Sequence, residues 1–382
     1  MPHEVDSQPQ RFHALQLADP AARRFLPPEK FEQVQRRAGE IQARVTPPIP
    51  PGIQAELRPY QLEGYHFLAY LAENRFGGIL ADDMGLGKNI QTLAWLVWLR
   101  ARAEPPGPSL VVCPKSVTDN WRAESARFAP GLRVRVWQST DIRSLPALVA
   151  DSDLHVINYA QLRTLGEELR RTDFLAVILD EGQYIKNPSS VTTVLARQLR
   201  AAHRLILSGT PIENRLLDLW SLMSFAMPGV LGSRTEFLRL YDRKDDAHAR
   251  RRLAARVRPF LLRRTKNQVA RDLPDRVEED LYCEIEGEQQ KLYRAELKRA
   301  QQMLLKVSTG SEFNEQRFHV LTSLLRLRQI CCDPRLLDEK SQAPSAKVEA
   351  LLETIEPLCS EGQKVLVFSQ FVGMLELLRA AL

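Results

Sequence analysis

The chain has 382 residues, enough for two or three domains with a core each, and its 44% hydrophobic and 26% charged content is ordinary for a globular protein. No apolar run approaches the roughly 18 residues of a membrane span, and the N-terminus lacks the apolar core of a signal peptide, so we expect a cytoplasmic protein without a membrane partner. The five cysteines form no C-x-x-C pair and the seven histidines show no ligand spacing, which predicts reduced cysteines and no zinc site.

The net charge of +6 is unevenly distributed. The segment from Arg243 to Arg271 contains nine arginines and two lysines but only two acidic residues, Asp245 and Asp246. This basic block therefore carries a net charge of +9. Such a block suggests a polyanionic partner, and the alternative is a solvated helix face. Only 12 of the 53 basic residues are lysine, and an Arg- and Ala-rich chain is typical of a GC-rich bacterial genome.

Residues 1–52 contain nine prolines and end in a proline-rich stretch, 46–52, which predicts a stiff linker. Before the linker, apolar residues recur at helical spacing between Phe31 and Val45, which predicts one amphipathic helix. After it, Arg58-Pro59-Tyr60-Gln61 has a proline suited to a first helical turn. The amide of Gln61 can both donate and accept, as reading the edge of an adenine requires.

A phosphate-binding loop is the strongest motif of the chain. An apolar run, 76–80, predicts a buried strand; Ala81–Asn89 follows as the loop, and 90–99 as a helix. Gly85 and Gly87 allow the backbone N–H groups to face an anion, and Lys88 can then reach the β- and γ-phosphates of a nucleotide. The alternative is an ordinary turn before a core helix.

Short apolar runs then recur at the spacing of a parallel sheet with helical crossovers. They are 110–113, 134–137, 154–157, 176–179 and 205–208. Ligands of such sheets bind at the carboxyl ends of the strands. Asp180 and Glu181 follow the fourth run, and this pair suits magnesium coordination and orientation of an attacking water.

The order of these motifs resembles Swi/Snf-type ATPases of the helicase-like superfamily 2, whose members translocate on duplex DNA without separating its strands. The resemblance covers about residues 55–382 and rests on eight segments in family order. They are Arg58–Gln61, Asp82–Lys88, Val112–Lys115, Leu179–Gln183, Leu207–Asn214, Phe260–Lys266, Leu327–Cys331 and Val365–Gln370.

The resemblance implies ATP and Mg²⁺ as cofactors and assigns roles to these positions. Arg58 and Gln61 contact the adenine, the loop residues Asp82, Met84, Gly85, Leu86, Gly87, Lys88 and Asn89 hold the nucleotide, Asp180 holds magnesium through water, and Glu181 acts on the attacking water. Gln183 and the loop Ser208, Gly209 and Thr210 couple the nucleotide site to the rest of the protein. Lys88, Asp180, Glu181 and Gln183 are thus the expected catalytic set.

Double-stranded DNA is the implied partner, contacted through its backbone. Lys115 and Ser116 are expected to face the phosphates, as is the basic block through Arg250, Arg251 and Arg252. The implied location is therefore at the bacterial nucleoid. A DNA-bound protein complex such as RNA polymerase is an alternative substrate, and a separate chain carrying the rest of the second lobe is a further expected partner.

The predicted fold is α/β: a RecA-like P-loop lobe with a mainly parallel sheet flanked by helices, an α-helical insertion, and the start of a second RecA-like lobe. The predicted domains are an N-terminal extension, 1–52, the ATP-binding lobe, 53–228, the helical insertion, 229–343, and the start of the second lobe, 344–382, whose first strand begins at Lys364. In the family, the later part of the second lobe supplies arginine fingers, worth roughly 10³–10⁵ in rate. We therefore expect residues 1–382 alone to hydrolyse ATP negligibly.

The resemblance places Asn89, together with Asp180, as a magnesium ligand. Asn89 departs from the pattern, however, because the residue after the loop lysine is usually Ser or Thr, whose hydroxyl binds magnesium. The sequence thus predicts the ATP-binding lobe of a Swi/Snf-type DNA translocase or remodelling ATPase. The alternative is a non-catalytic module that binds nucleic acid or protein and retains the fold. Asn89 favours the alternative, whereas Lys88, Asp180 and Glu181 favour the enzyme.

Overall fold

A computed structural model describes residues 29, 32, 45–138, 151–209, 215–241, 246–269, 277–305 and 310–382, with the backbone alone at 303–305 and 310–317. The chain forms two compact units, Met1–Pro274 and Asp275–Leu382. Their division falls inside the segment predicted as the helical insertion, and the four predicted domains remain a prediction. No helix within the described ranges is long and apolar enough to cross a membrane.

The first unit is built on a seven-stranded sheet in the order β3-β4-β2-β5-β6-β1-β7. Every neighbouring pair of strands is parallel. The strands are β1 (Gly78–Leu80), β2 (Ser109–Cys113), β3 (Val134–Val136), β4 (Leu154–Asn158), β5 (Asp173–Leu179), β6 (Arg200–Leu207) and β7 (Leu261–Leu262). The parallel α/β sheet and the six strands expected from the apolar runs are confirmed, whereas the two-residue β7 was not predicted.

Helices cover the sheet and bury its central strands on both faces, as a parallel sheet requires. They are α1 (Pro59–Glu73), α2 (Lys88–Arg102), α3 (Thr118–Phe128), α4 (Tyr159–Leu169), α5 (Val191–Gln198), α6 (Leu216–Ala226), α7 (Arg234–Tyr241), α8 (Ala247–Val257) and α9 (Lys266–Val269). Strand β2 is buried along its whole length, and α2 is buried from Ile90 to Leu96. The carboxyl ends of β1, β2, β5 and β6 therefore meet at one edge, where the chemistry was expected.

The proline-rich segment before α1 is packed against the first unit. The Tyr65 hydroxyl donates to the Pro48 carbonyl at 3.0 Å, and the His66 ring lies 3.2 Å from the Pro47 carbonyl. Pro50 is buried and Ile53 belongs to the main core. Residues 46–52 thus cover one side of α1. The amphipathic helix predicted between Phe31 and Val45 lies almost entirely outside the described residues.

The second unit consists of helices α10 (Gly287–Leu305), α11 (Gly310–Cys332), α12 (Ala346–Ser360) and α13 (Val372–Ala381). Gln289 joins three of them, since its side chain donates to the Ile330 carbonyl at 2.7 Å and accepts from the Ala346 N–H at 3.1 Å. Val348, Met374 and Leu378 form a small core.

The strand predicted from Lys364 onwards was wrong for this structure, because residues 363–369 have no regular secondary structure. A strand needs a neighbour for its backbone hydrogen bonds. The described residues of the second unit include no strand that could supply them. Leu366 and Phe368 consequently remain 83% and 87% exposed.

Asp153 joins several elements at the amino end of the sheet. Its carboxylate accepts from Arg100 at 2.7 Å and from the Arg133 guanidinium and main-chain N–H at 2.8 and 3.0 Å, and only 8% of the side chain is exposed. Burial alone raises the pKa of Asp153, but the hydrogen bonds from Arg133 and the charge of Arg100 outweigh it and leave that pKa lowered. The carboxylate therefore stabilises the junction of α2, β3 and β4 when ionised.

Asp153→Asn is expected to lower the free energy of unfolding by about 2 kcal/mol at pH 7, because it leaves two arginines without their counter-charge. A depressed folded-state pKa gives stability above the unfolded pKa of about 3.9, and this stability is lost as the pH falls through the folded-state pKa. The difference in free energy of unfolding between the unmodified chain and Asp153→Asn should therefore disappear below about pH 4. Urea denaturation followed by tryptophan fluorescence checks this, since all five tryptophans lie in the first unit.

The matched control is Asp151→Asn, the same chemical change at an exposed carboxylate two residues earlier. It should alter the free energy of unfolding by less than about 0.5 kcal/mol. Equal losses in the two variants would contradict the role given to Asp153.

Candidate active site

The phosphate loop connects β1 to α2 and has the shape that its glycines predict. Gly85 and Gly87 adopt φ of 85° and 75°, in the left-handed region that favours glycine. A Cβ at Gly87 would also lie 2.5 Å from Nε2 of Gln61. A side chain at position 87 would therefore strain the backbone and displace the Gln61 amide.

Lys88 begins α2 and turns its side chain back over the loop. Its Nζ donates to the main-chain carbonyls of Asp82 at 2.8 Å and Asp83 at 3.4 Å. Burial lowers the pKa of Lys88, and the nearby charges of Asp180 and Glu181 act in the opposite direction. The ammonium thus lies between the loop and the predicted catalytic carboxylates, where a phosphate can reach it.

Asp180 follows β5 and is held by four hydrogen bonds, one of which its own main-chain N–H donates to the Val112 carbonyl at 2.8 Å. Its Oδ2 accepts from the Trp121 indole at 2.9 Å, and its Oδ1 accepts from the Glu181 N–H at 2.9 Å. Its main-chain carbonyl accepts from the Tyr159 hydroxyl at 2.7 Å. The residue is only 7% exposed, and its carboxylate has a fixed orientation.

The side-chain pKa values of Asp180 and Glu181 are both raised. Burial raises the pKa of Asp180, and burial together with the charge of Asp180 raises the pKa of Glu181. A raised pKa makes Glu181 a better proton acceptor, the property that a general base requires. Glu181 also has φ of 53°, an unfavourable backbone conformation for a residue other than glycine and one that is concentrated at functional sites.

A buried arginine, Arg264, was missed as a site residue. Its guanidinium pairs with the Asp82 carboxylate at 2.5 Å and 3.0 Å, donates to Oε1 of Gln91 at 3.0 Å, and donates to the Tyr60 carbonyl. The arginine therefore ties the loop to α1, α2 and the end of β7. The motif Phe260–Lys266 was visible in the sequence, but nothing in its local pattern places it at Asp82, 182 residues away.

The two predicted adenine contacts precede the loop. The Gln61 side-chain carbonyl accepts from the Arg58 N–H at 3.0 Å, and its amide donates to the Leu86 carbonyl at 3.3 Å. The side chain of Arg58 is exposed. The amide of Gln61 is thus oriented against the phosphate loop before any base arrives.

The remaining loop residues differ in exposure. Leu86 is buried, whereas Met84 is 68% exposed and lies against Gly209, where a Cβ would be 3.1 Å from Cγ of Met84. Asn89 is half-buried at the second position of α2, and its side chain makes no hydrogen bond within the described part of the chain.

The predicted coupling residues lie partly beside the loop. Ser208 is buried, and its N–H donates to the Leu80 carbonyl at 3.1 Å, so the end of β6 adjoins the start of the loop. Thr210 lies outside the described residues. Gln183 is exposed in the short turn Gly182–Ile185 after Glu181.

A groove of about 750 Å³ opens at the carboxyl ends of β2, β3 and β4. Three basic side chains line it, namely Lys115, Arg122 and Arg163. Tyr159 also lines it, stacks on Tyr184 at 4.5 Å between ring centroids, and donates to Asp180. Ser116 is exposed in the short turn Lys115–Val117. A ligand in this groove would lie against Tyr159, which hydrogen-bonds to Asp180 of the predicted catalytic pair.

The basic block is not one continuous surface. Helix α8 buries Ala249, Leu253 and Val257 and exposes Arg250, Arg251 and Arg252, whereas Arg264 is buried at the phosphate loop. Counting all nine arginines toward a polyanion surface was therefore wrong. Helix α8 also leads to the edge strand β7, while Lys115 follows β2, so the structure does not place the two predicted DNA-contacting sets on neighbouring strands.

The donors at this site fit a magnesium nucleotide. Mg²⁺ is usually held by one or two carboxylates and by substrate phosphates, and Asp180 with Glu181 supplies such oxygens beside the loop. No group of three or more metal-ligating side chains occurs among the described residues, and a site of this kind requires none.

Several known proteins share substantial sequence with this chain. An ATP-dependent helicase of Mycoplasma pneumoniae is 36% identical over 325 residues, which are 84% of this chain and 31% of that protein. The putative ATP-dependent helicase/translocase YwqA of Bacillus subtilis is 34% identical over 340 residues, 85% of this chain and 36% of that protein. The chain thus spans about a third of the length of these relatives.

The fold and the motif pattern agree with a solved structure and with a described family. The SWI2/SNF2 ATPase core of Sulfolobus solfataricus in complex with dsDNA superimposes with a TM-score of 0.58 at 37% identity, covering 87% of this chain and 70% of that one. The SNF2-related domain matches residues 60–336, well over half of the chain. The chain therefore belongs to the SNF2-related family of ATPases.

Proposed function

We propose that residues 1–382 form the nucleotide-binding part of an ATPase that uses ATP to translocate on double-stranded DNA or to remodel complexes bound to it. The observation that carries the proposal is the position of Lys88, between the glycine loop and the carboxylates of Asp180 and Glu181. Family membership supports ATP as the substrate, and the DNA-bound state of the Sulfolobus structure supports duplex DNA as the partner.

In this proposal each residue has a distinct task. Lys88 and the loop N–H groups bind the phosphates, and Glu181 accepts a proton from the attacking water. Asp180, oriented by Trp121, holds Mg²⁺, which when bound neutralises phosphate charge. Gln61 positions the adenine.

Duplex DNA is proposed to contact the groove at Lys115 and the exposed face of α8. Lys115 and the arginines at 250–252 are exposed and offer charges to phosphates without reading bases. Because Tyr159 lines the groove and donates to the main-chain carbonyl of Asp180, an occupant of the groove can act on the position of Asp180.

The first test concerns Asn89. An amide oxygen on a longer side chain replaces the usual hydroxyl, and Mg²⁺ tolerates displaced ligands badly. The unmodified chain should bind ATP weakly and with little response to magnesium. Asn89→Thr should tighten binding in magnesium by roughly tenfold, the scale of effects on tuned metal sites. Titration of labelled ATP with and without magnesium measures both values.

Asn89→Ala is the control, because it removes the bulky amide without adding a hydroxyl. It should show no magnesium-dependent gain. If the unmodified chain already binds ATP much more tightly with magnesium than without it, the effect assigned to Asn89 is wrong. If neither the unmodified chain nor Asn89→Thr binds ATP at all, the non-catalytic module becomes the better account.

The second test concerns DNA. Affinity for duplex DNA should not depend on sequence and should fall steeply with salt, because binding to phosphates releases counterions. Changing Arg250, Arg251 and Arg252 together to Glu should reduce the slope of log affinity against log salt by about 1 for each phosphate that is no longer neutralised, up to about 3. Fluorescence anisotropy over a salt series measures the slope.

The control changes Arg170 and Arg171 to Glu, at the amino end of β5 and thus at the edge of the sheet away from the site. This pair should leave the slope nearly unchanged. An unchanged slope in the triple variant would make the α8 arginines a solvated face.

A further inference from the structure

Lys266 lies beside the phosphate loop although it is far away in sequence. Its main-chain N–H donates to the Asp83 carboxylate at 3.0 Å. Its Cε and Nζ both lie 3.5 Å from the position that a Cβ of Gly85 would occupy. The side chain is exposed. The lysine is thus anchored at the loop through its backbone while its ammonium is presented beside Gly85.

The backbone that carries Lys266 is itself fixed to the loop. The Ala81 N–H donates to the Leu262 carbonyl at 2.7 Å, and the Asp83 N–H donates to the Arg264 carbonyl at 3.0 Å. Arg264 adds its buried ion pair with Asp82. The segment 262–266 therefore runs along the loop, and the position of Lys266 is set by these bonds.

The charge balance at the loop leaves a role for another cation. Four carboxylates, those of Asp82, Asp83, Asp180 and Glu181, act on Lys88. Arg264 neutralises the first of them. A nucleotide brings several further negative charges, so a further cation beside the loop would strengthen its binding in addition to Lys88 and any bound Mg²⁺. The ammonium of Lys266 has no carboxylate within ion-pair distance in the described part of the chain, which leaves it available for a ligand.

We infer that Lys266 is a second phosphate-binding cation of the nucleotide site, contacting the phosphate chain of a nucleoside di- or triphosphate together with Lys88. The inference rests on the proposed nucleotide site and adds to it a residue from beyond β7. It also implies selectivity, because a nucleoside without phosphates gains nothing from this ammonium.

The experiment measures the affinity of the full 382-residue chain for ADP, ATP and adenosine by displacement of a fluorescent ATP analogue. Lys266→Ala should weaken ADP and ATP binding by roughly fivefold, the value of one exposed charge contact at about 4 Å. Lys266→Arg should stay within about twofold of the unmodified chain, since it keeps the charge. Adenosine affinity should not change in either variant.

The matched control is Arg263→Ala, which removes the same charge from an exposed neighbour in the same segment. It should change nucleotide affinity less than about twofold. A second readout uses an acyl-phosphate derivative of ATP, whose acyl group transfers to a lysine amine near the terminal phosphate, forming an amide and releasing ATP. Mass spectrometry should find the acyl group on both Lys88 and Lys266, and excess ATP should prevent both modifications.

Either of two results overturns the inference: equal affinities of Lys266→Ala and Arg263→Ala, or acylation of Lys88 without acylation of Lys266. After either result, the proposed nucleotide site is still supported if the unmodified chain binds nucleotide and Lys88→Ala does not. If the unmodified chain neither binds nucleotide nor reacts with the probe, the proposed function and the inference fail together.

Discussion

The buried ion pair between Arg264 and Asp82 is the interaction on which the arrangement of the site depends. Asp82 is fully buried, and a carboxylate in that position is tolerated only with a cation and hydrogen bonds around it. Arg264 supplies both and simultaneously holds Gln91 and the Tyr60 carbonyl. Removing one partner of such a pair typically costs about 3–5 kcal/mol. The cost here would fall on the loop that binds the nucleotide.

Two aromatic side chains join the nucleotide site to the groove. Trp121 lies on α3, which begins just after the turn carrying Lys115, and its indole fixes one oxygen of Asp180. Tyr159 begins α4 at the groove and holds the Asp180 carbonyl. The groove side of the sheet thus sets the orientation of one carboxylate. A displacement of either helix would therefore reach Asp180 through a direct hydrogen bond.

Local physics explains which features could be predicted from the sequence. The apolar runs between Leu110 and Ser208 predict strands, and the glycines at 85 and 87 predict a tight loop, because both predictions depend only on residues that are neighbours in the chain. The parallel sheet and the placement of Asp180 at a strand end follow from them. Arg264 and Lys266 could not be placed this way, since their partners are more than 180 residues away in the chain and are brought near only by the pairing of β7 with β1.

The strand that was expected from Lys364 onwards but did not form shows the same dependence on residues that are distant in the chain. Val365, Leu366 and Phe368 have strand-like composition, but a strand exists only where a neighbour supplies hydrogen bonds. Strand β1, which leads into the phosphate loop, pairs with β6 on one side and β7 on the other, whereas residues 363–369 have no such neighbour among the described residues. Residue composition thus predicted a strand both at β1 and at 363–369, and pairing with neighbouring strands decided which of the two formed. The backbone of the loop is likewise fixed by β1 and α2, so Asn89 leaves the loop intact. Any effect of the Asn89 amide must therefore appear in ligand binding.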